Sequence, residues 1–367
     1  MIRTKSVLIF LLGVLATGGH AEATSYASLG LHERVQLSDT IVLGRIANSA
    51  RAIVDVERVL KGAAPKQITL VEYLDGFAIP AQQKLLVSGV RELLFLRRKG
   101  DSYAPVQDQY GRMAVDGDRL IDSFRQEPRS VSQTLTSIQR LVVLQTRAAR
   151  GDSEADRAYV EAFADPDREV QTWALATSFH RLKVPSTALA DAVLAHWRRD
   201  TGPVPQTWPH DAGLVANAVV TWRLRRSAPM FAESLKTSTD GERRAFAAMA
   251  LGGAGDVTYL RLLREVASRD PHANARAAAY GGIVDMLGPA ALEDLRRGAK
   301  DSNERVRASI TSDAYNMLEL EQPERRWPPA SNAHIEEVRA FLSEMERDPA
   351  VRDSAKYMLA LIAGHRR

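Results

Sequence analysis

The chain has 367 residues, with 49 Lys and Arg against 45 Asp and Glu, a formal charge of +4 and no Cys. That length allows two or three domains and ample core. The lack of Cys excludes disulfides, thiolate catalysis and sulfur ligation of a metal, and the near-balance of charge, with no block of five or more Lys or Arg, argues against nucleic acid as a partner.

Residues 1–23, "MIRTKSVLIFLLGVLATGGHAEA", carry a basic start (Arg3, Lys5), an apolar stretch from Val7 to Ala16 and small residues at Ala21 and Ala23. This is the pattern of a signal peptide cut after Ala23. The apolar run falls short of the roughly 18–20 residues a membrane span needs, so no integral membrane segment is expected after cleavage. Export without disulfides points to a bacterial periplasmic or secreted protein.

Residues 24–125 read as a small all-β domain. A short helix over 28–36, with Leu31 and Val35 on one face, precedes apolar or alternating runs at 40–46, 52–60, 67–73, 91–98 and 112–121. Gly, Pro, Asp and Lys punctuate them, as in "KGAAPK" at 61–66 and "KGDSYAP" at 99–105. "VDGD" at 115–118 signals a hairpin. Five or six short antiparallel strands predict a closed barrel or a compact sandwich. Gly44 is expected at a bulge or close approach, and Lys61-Gly62 at a strand end. Glu92 interrupts the apolar run 93–96 and is expected to face a groove or pair with Arg45 or Arg91.

The stretch "SDTIVLGRI … VERVLKG … ITLVEYLDG … GVRELLFLRRKGDSYAPVQDQYGRMAV" resembles the amino-terminal domain of a loosely defined class of exported bacterial proteins. That domain is similar to the OB-type barrel of the tissue inhibitors of metalloproteinases. The resemblance implies a fold and carries no catalytic residue. Those inhibitors act through a cysteine-rich amino terminus, so metalloproteinase inhibition is not implied here.

Residues 126–152 change to helical spacing, with Val131, Leu135, Ile138 and Leu141/Val142 in register, and predict a connecting helix. From 153 to 367 the chain reads as paired helices. Two adjacent units stand out, at 257–287 and 289–318, each with a helix, an Asp-containing turn and a second helix. Fainter copies lie at 159–179, 231–251 and 338–362, and a further helix pair is expected around "ALADAVLAHWRRD" and "GLVANAVVTWRLRR". Asp165, Asp240, Asp270, Asp301 and Asp348 recur at the turns as helix-capping residues. Arg276 and Arg307 are expected to bridge to acidic residues of flanking units. The pattern resembles HEAT-type repeats of the short bacterial kind, and so implies an α-solenoid.

No chemical motif accompanies this architecture. There is no H-E-x-x-H, P-loop, G-x-S-x-G or dinucleotide fingerprint, and the histidines beyond the leader, His32, His180, His196, His210, His272, His334 and His365, are scattered. No catalytic residue, cofactor or metal site is therefore assigned. Trp197 and Trp222 read as helix-packing residues. Two Pro-bearing insertions, 201–211 and 322–332, carry Trp208, His210, Arg325, Arg326 and Trp327, residue types that dominate interaction hot spots. The expected function is a non-enzymatic exported scaffold that binds a protein partner. The alternatives are a small-ligand or cell-envelope accessory factor, or a hydrolase with its site at the domain junction.

Overall fold

The computed structural model describes residues 29–71, 86–106, 111–121, 129–200, 202, 204, 211–318, 327–328 and 330–364. The leader at 1–23 and the loop residues Trp208, His210, Arg325 and Arg326 lie outside them. The chain divides into two compact units, residues 24–189 and 190–367.

In the first unit, helix α1 (Leu31–Leu37) is followed by β1 (Thr40–Asn48), β2 (Ile53–Lys61), β3 (Gln67–Thr69), β4 (Arg91–Lys99), β5 (Ser102–Pro105), β6 (Arg112–Asp116), β7 (Arg119–Ile121) and β8 (Arg129–Ser130). The strands pair antiparallel in the order β3-β2-β1-β4-β6-β7-β8, and β5 joins β4 beside β6. The expected closed barrel is thus corrected to a sheet that is not closed. The reason lies in β4, whose outer edge is shared: Leu96–Lys99 pair with β5, and Arg91–Leu94 pair with β6. One further link exists, a parallel bridge between Leu70 and Tyr103, where the Val71 N–H donates to the Tyr103 carbonyl at 2.8 Å. The stretch 99–105 reads in sequence as punctuation between strands, yet its second half is β5; a strand of four residues has too little pattern to show in sequence. The hairpin at 115–118 joins β6 to β7, with Gly117-Asp118 as its two-residue loop.

Core formation explains the apolar run in β4. Leu94 and Leu96 pack with Val42, Ile46, Val54, Ile68, Leu70, Leu86 and Tyr103 on one face. Leu93 and Phe95, paired with Leu43 and Ile41, are buried on the other. A strand covered on both faces reads as continuous apolar sequence rather than as alternation. The register of β1 on β2 shifts between Leu43 and Gly44, a bulge at the glycine.

The strand-end residues converge on one corner. Lys61 Nζ donates to the Val35 carbonyl of α1 at 2.7 Å, where the helix presents unpaired C=O groups. Burial lowers the Lys61 pKa, and the charge of Asp39 works against that. Gly62 follows at φ +69°, and a Cβ there would stand 2.3 Å from the Asp39 carbonyl oxygen. Gly62→Ala is expected to cost about 1–3 kcal/mol in urea unfolding. Asn, which tolerates a left-handed backbone, should not rescue it, because the Cβ contact persists. An Asn variant as stable as the parent would show that only the dihedral matters.

Thirteen α-helices follow the sheet among the described residues. The connecting helix is α2 (Val131–Ala148), which buries Leu135, Ile138 and Leu141. With α3 (Asp152–Ala164) and α4 (Arg168–Arg181) it completes the first unit.

The second unit is entered through α5 (Thr187–Arg199). It continues with α6 (Asp211–Trp222), α7 (Ala228–Thr237), α8 (Gly241–Ala254), α9 (Leu260–Arg269), α10 (Ala273–Leu287), α11 (Leu292–Gly298), α12 (Glu304–Asn316), α13 (Asn332–Met345) and α14 (Arg352–Gly364). From α7 onward consecutive helices pair, and the second members α8, α10, α12 and α14 pack side by side in that order. Small residues allow it. A Cβ on Gly252 of α8 would come within 2.2 Å of the Gly282 Cα on α10, and Ala247, Ala250, Ala275, Ala279 and Ala314 are all fully or nearly fully buried. A single pair leaves its apolar stripe open, whereas each neighbour in the stack covers it.

Candidate functional site

The turn between the two helices of each pair builds a repeated polar cluster. Arg276 on α10 donates through Nε and Nη2 to the Asp301 carboxylate at 2.7 and 2.9 Å, and through Nη1 to the Asp270 carbonyl at 2.8 Å. Arg307 on α12 does the same one repeat on, to the Asp348 carboxylate at 2.6 Å and the Asp301 carbonyl at 2.8 Å. Arg244 on α8 precedes them, at 2.7 and 2.8 Å from the Asp270 carboxylate and 3.0 Å from the Ser238 carbonyl. Each arginine therefore ties its own turn to the next through a charged contact, two-pronged for Arg244 and Arg276 and a single Nε bond for Arg307. A second row runs alongside: Asn274 Nδ2 donates to Glu242 Oε1 at 2.5 Å, and Arg305 Nη1 to Asn274 Oδ1 at 3.5 Å.

Four of the five turn aspartates, Asp240 excepted, differ from their expected capping role. Asp270, Asp301 and Asp348 accept the backbone N–H two residues on, from His272, Asn303 and Ala350, at 2.8, 2.8 and 3.0 Å. They close the turn, and the helix cap is the residue after it. Asn303 caps α12 through the Arg305 N–H at 3.0 Å. Asp165 likewise accepts from Asp167 N–H and from Arg140, and Asp167 caps α4. Asp240 is itself the cap of α8, accepting from Glu242 and Arg243, so it stands two residues out of register with Asp270. Its repeat puts Ser238 in the turn position, where the hydroxyl accepts the Asp240 N–H at 3.3 Å. Asp serves both positions equally well in sequence, and only the partner distinguishes them. The arginine six residues after each turn residue (238/244, 270/276, 301/307) is the signal that finds Arg244.

Between two first helices the second unit opens a cavity of about 390 Å³, lined from α9 by Arg261, Arg264 and Arg269, from α10 by Tyr280, and from α11 by Asp294 and Arg297. Asp294 is 3 % exposed. It accepts from Arg264 Nε at 3.0 Å and Nη2 at 2.8 Å, and Arg297 Nη2 stands 3.1 Å away. Arg261 and Arg269 are exposed. Burial, and then the charge of Asp301, pushes the Tyr280 hydroxyl pKa upward, so it remains a donor. In sequence each of these arginines looks like an ordinary solvated residue on an amphipathic helix. Only stacking of α9 beside α11 gathers them.

Other polar groups serve the packing. Glu92 is buried and bonds to Arg112, with Nε to Oε2 at 2.7 Å. Its expected partners lie elsewhere: Arg91 and Arg45 meet Glu57 at 2.7 and 3.7 Å. Successive residues of a strand point to opposite faces, so Arg91 and its cross-strand partner Arg45 cannot share the face of Glu92. His196 Nε2 and Asp211 Oδ2 form a buried pair at 3.0 Å between α5 and α6. Trp197 packs edge-on against Phe231, donates to Ser234 Oγ at 3.1 Å and carries the Arg243 guanidinium 4.3 Å above its ring. Trp222 is buried as well. Trp327 is half-buried, its indole lying against Gly288. Asp313 on α12 is pushed up to about 8, by burial first and then by the charge of Asp285 on α10. Those two carboxyls find no third, since no group of three metal-ligating side chains occurs among the described residues. No helix among them is long and apolar enough to cross a membrane.

The stacked pairs and their shared turns carry the comparison with known families. Residues 228–312 match the family of HEAT repeats. The match spans the three consecutive pairs from α7 into α12, which include the Arg244, Arg276 and Arg307 turns. Neither a curated protein nor a solved structure matches the chain. HEAT repeats generally serve as protein-interaction scaffolds, and the cavity between α9 and α11 lies inside the matched segment.

Proposed function

We propose that the protein is a non-enzymatic scaffold that binds a protein partner through its HEAT-type region. The observation that carries this reading is the unbroken row of inter-repeat contacts from Ser238 to Asp348. It holds consecutive pairs in fixed register and so presents a rigid, extended surface, the feature repeat proteins use for binding. The insertion residues Trp208, His210, Arg325 and Arg326 are proposed as additional anchors on the strength of residue type.

The β region is proposed to be OB-like. Its support is the pairing order: β1 joins β2 and β4, β2 joins β3, β4 joins β5, and the Leu70–Tyr103 bridge runs parallel between the ends of β3 and β5. Export to a periplasm or outside the cell is proposed from the 1–23 leader pattern and the lack of Cys.

The scaffold reading is tested with a photo-crosslinking residue placed, one site at a time, across α8–α14 of the full-length chain in its native cell. A discrete adduct from positions on the helical surface, and none from Val59 in the sheet, is the expected result. A set of helical positions that yields no adduct at all would overturn it.

A further inference from the structure

We propose that the cavity between α9 and α11 binds an extended acidic peptide segment with two carboxylates four residues apart. This deepens the scaffold reading and rests on it. Four arginines line the groove, but they are not equivalent. Arg264 and Arg297 both bond to Asp294, which is buried beneath them, and Glu265 is the second carboxylate of the lining, so the centre of the groove carries no net charge. Arg261 and Arg269 have no ion pair among the described residues and stand exposed at the two ends of α9. The unmatched positive charge of the groove is therefore divided between its ends.

Spacing then selects the ligand. Arg261 and Arg269 are eight residues apart, about 2.2 helical turns, so their Cα atoms stand about 12 Å apart along α9 and about 80° apart around it, and both residues line the groove. One small anion cannot touch both. An extended chain advances about 3.3 Å per residue, so carboxylates at i and i+4 stand about 13 Å apart and match the two guanidinium groups. Glu265 lies midway between them on α9 and also lines the groove. It repels a third acid at the centre and so disfavours a continuous polyanion. The floor supplies a backbone contact: Tyr280 lines the groove, is 6 % exposed as a residue, and its hydroxyl keeps its proton. It is a donor placed to meet a peptide carbonyl between the two acidic anchors. Gly298 of α11 makes room for that ring, since a Cβ there would lie 2.9 Å from the Tyr280 ring atoms.

The test uses the full-length chain and fluorescence anisotropy with a labelled peptide of neutral flanks around Glu-Ser-Gly-Ser-Glu. A second peptide has the same composition with its two Glu adjacent. The spaced peptide should bind at least tenfold more tightly than the adjacent one. Arg261→Glu with Arg269→Glu should weaken the spaced peptide at least tenfold. Tyr280→Phe should weaken it about threefold. The charge-matched pair Arg51→Glu with Arg58→Glu, exposed in the β region, should leave binding unchanged.

Equal binding of the two peptides, or equal loss in the β-region control, overturns the proposal. So does a single-stranded oligonucleotide that binds through the same arginines more tightly than the peptide. Cellular crosslinking separates this inference from the reading beneath it. If Arg261→Glu with Arg269→Glu still gives the helical adduct, the scaffold stands and the groove assignment falls. If the parent gives no adduct, the scaffold reading falls whatever the peptides do.

Discussion

Arg112→Met is expected to destabilise the protein by about 3–5 kcal/mol, the usual cost of leaving a buried charge without its partner. Glu92 and Arg112 have side chains only 6 % and 12 % exposed and form a two-pronged contact, Nε with Oε2 and Nη2 with Oε1. Burial opposes charge on both: it pushes Glu92 up to about 7 from 4.5 and Arg112 down to about 10.

The pH dependence follows in sign. Between about 4.5 and 7 the folded chain holds a proton on Glu92 that the unfolded chain has released, so stability falls as pH rises through that window. Without Arg112 the carboxylate is harder still to ionise, and the fall should extend to higher pH. Replacing both residues, Glu92→Leu with Arg112→Met, should recover most of the loss and remove the slope, because desolvation of two charges consumes most of their attraction. Urea midpoints of the parent and the two variants at pH 5 and pH 8 decide it. A single variant as stable as the parent at pH 8 would refute the argument.

Arg276→Ala is expected to cost about 1.5–3 kcal/mol, the range for hydrogen bonds to charged groups. The arginine and Asp301 have side chains 14 % and 10 % exposed, so solvent screens the contact little. A double-mutant cycle with Asp301→Ala should return a coupling of about 0.5–3 kcal/mol, and Arg276→Lys should keep the charge yet lose most of the stability, since an ammonium cannot bridge two oxygens and a carbonyl in one plane.

Acid attacks the same row. Hydrogen bonds from Arg276 hold Asp301 below its usual range of 3.8, and those from Arg307 do so for Asp348. At Asp270 burial works upward, and the bonds from Arg244 and the His272 N–H outweigh it. These depressed values mean that the contribution is fully present above about pH 4 and is lost as pH falls through the folded-state values. Asp301→Asn should lower stability at pH 7 and flatten the acid limb of the urea midpoint. An unchanged acid limb would show that the ladder is not what acid breaks.

What could be read in advance divides by range of interaction. The strands at 40–46, 52–60 and 91–98 and the helix pairs from 257 to 318 were visible because periodicity is local and each element is long enough to show it. β5, of four residues, exists only because β4 has a free edge beyond β6. The recurrence of Asp and Arg along the chain identified the turns, yet the registers of Asp240 and Ser238 were settled only by which N–H each accepts.

The amino-acid sequence by itself determined the two-part organisation, the helical repeat and the residue types at its turns, since these depend on neighbours within a few turns or strands. Tertiary structure alone decided that the sheet stays open, that Glu92 meets Arg112 rather than Arg45 or Arg91, and that four arginines of two separate helices line one groove. Each of those depends on which surfaces pack together across 20 or more residues of chain, and side-chain charge carries no information about distance until the backbone has folded.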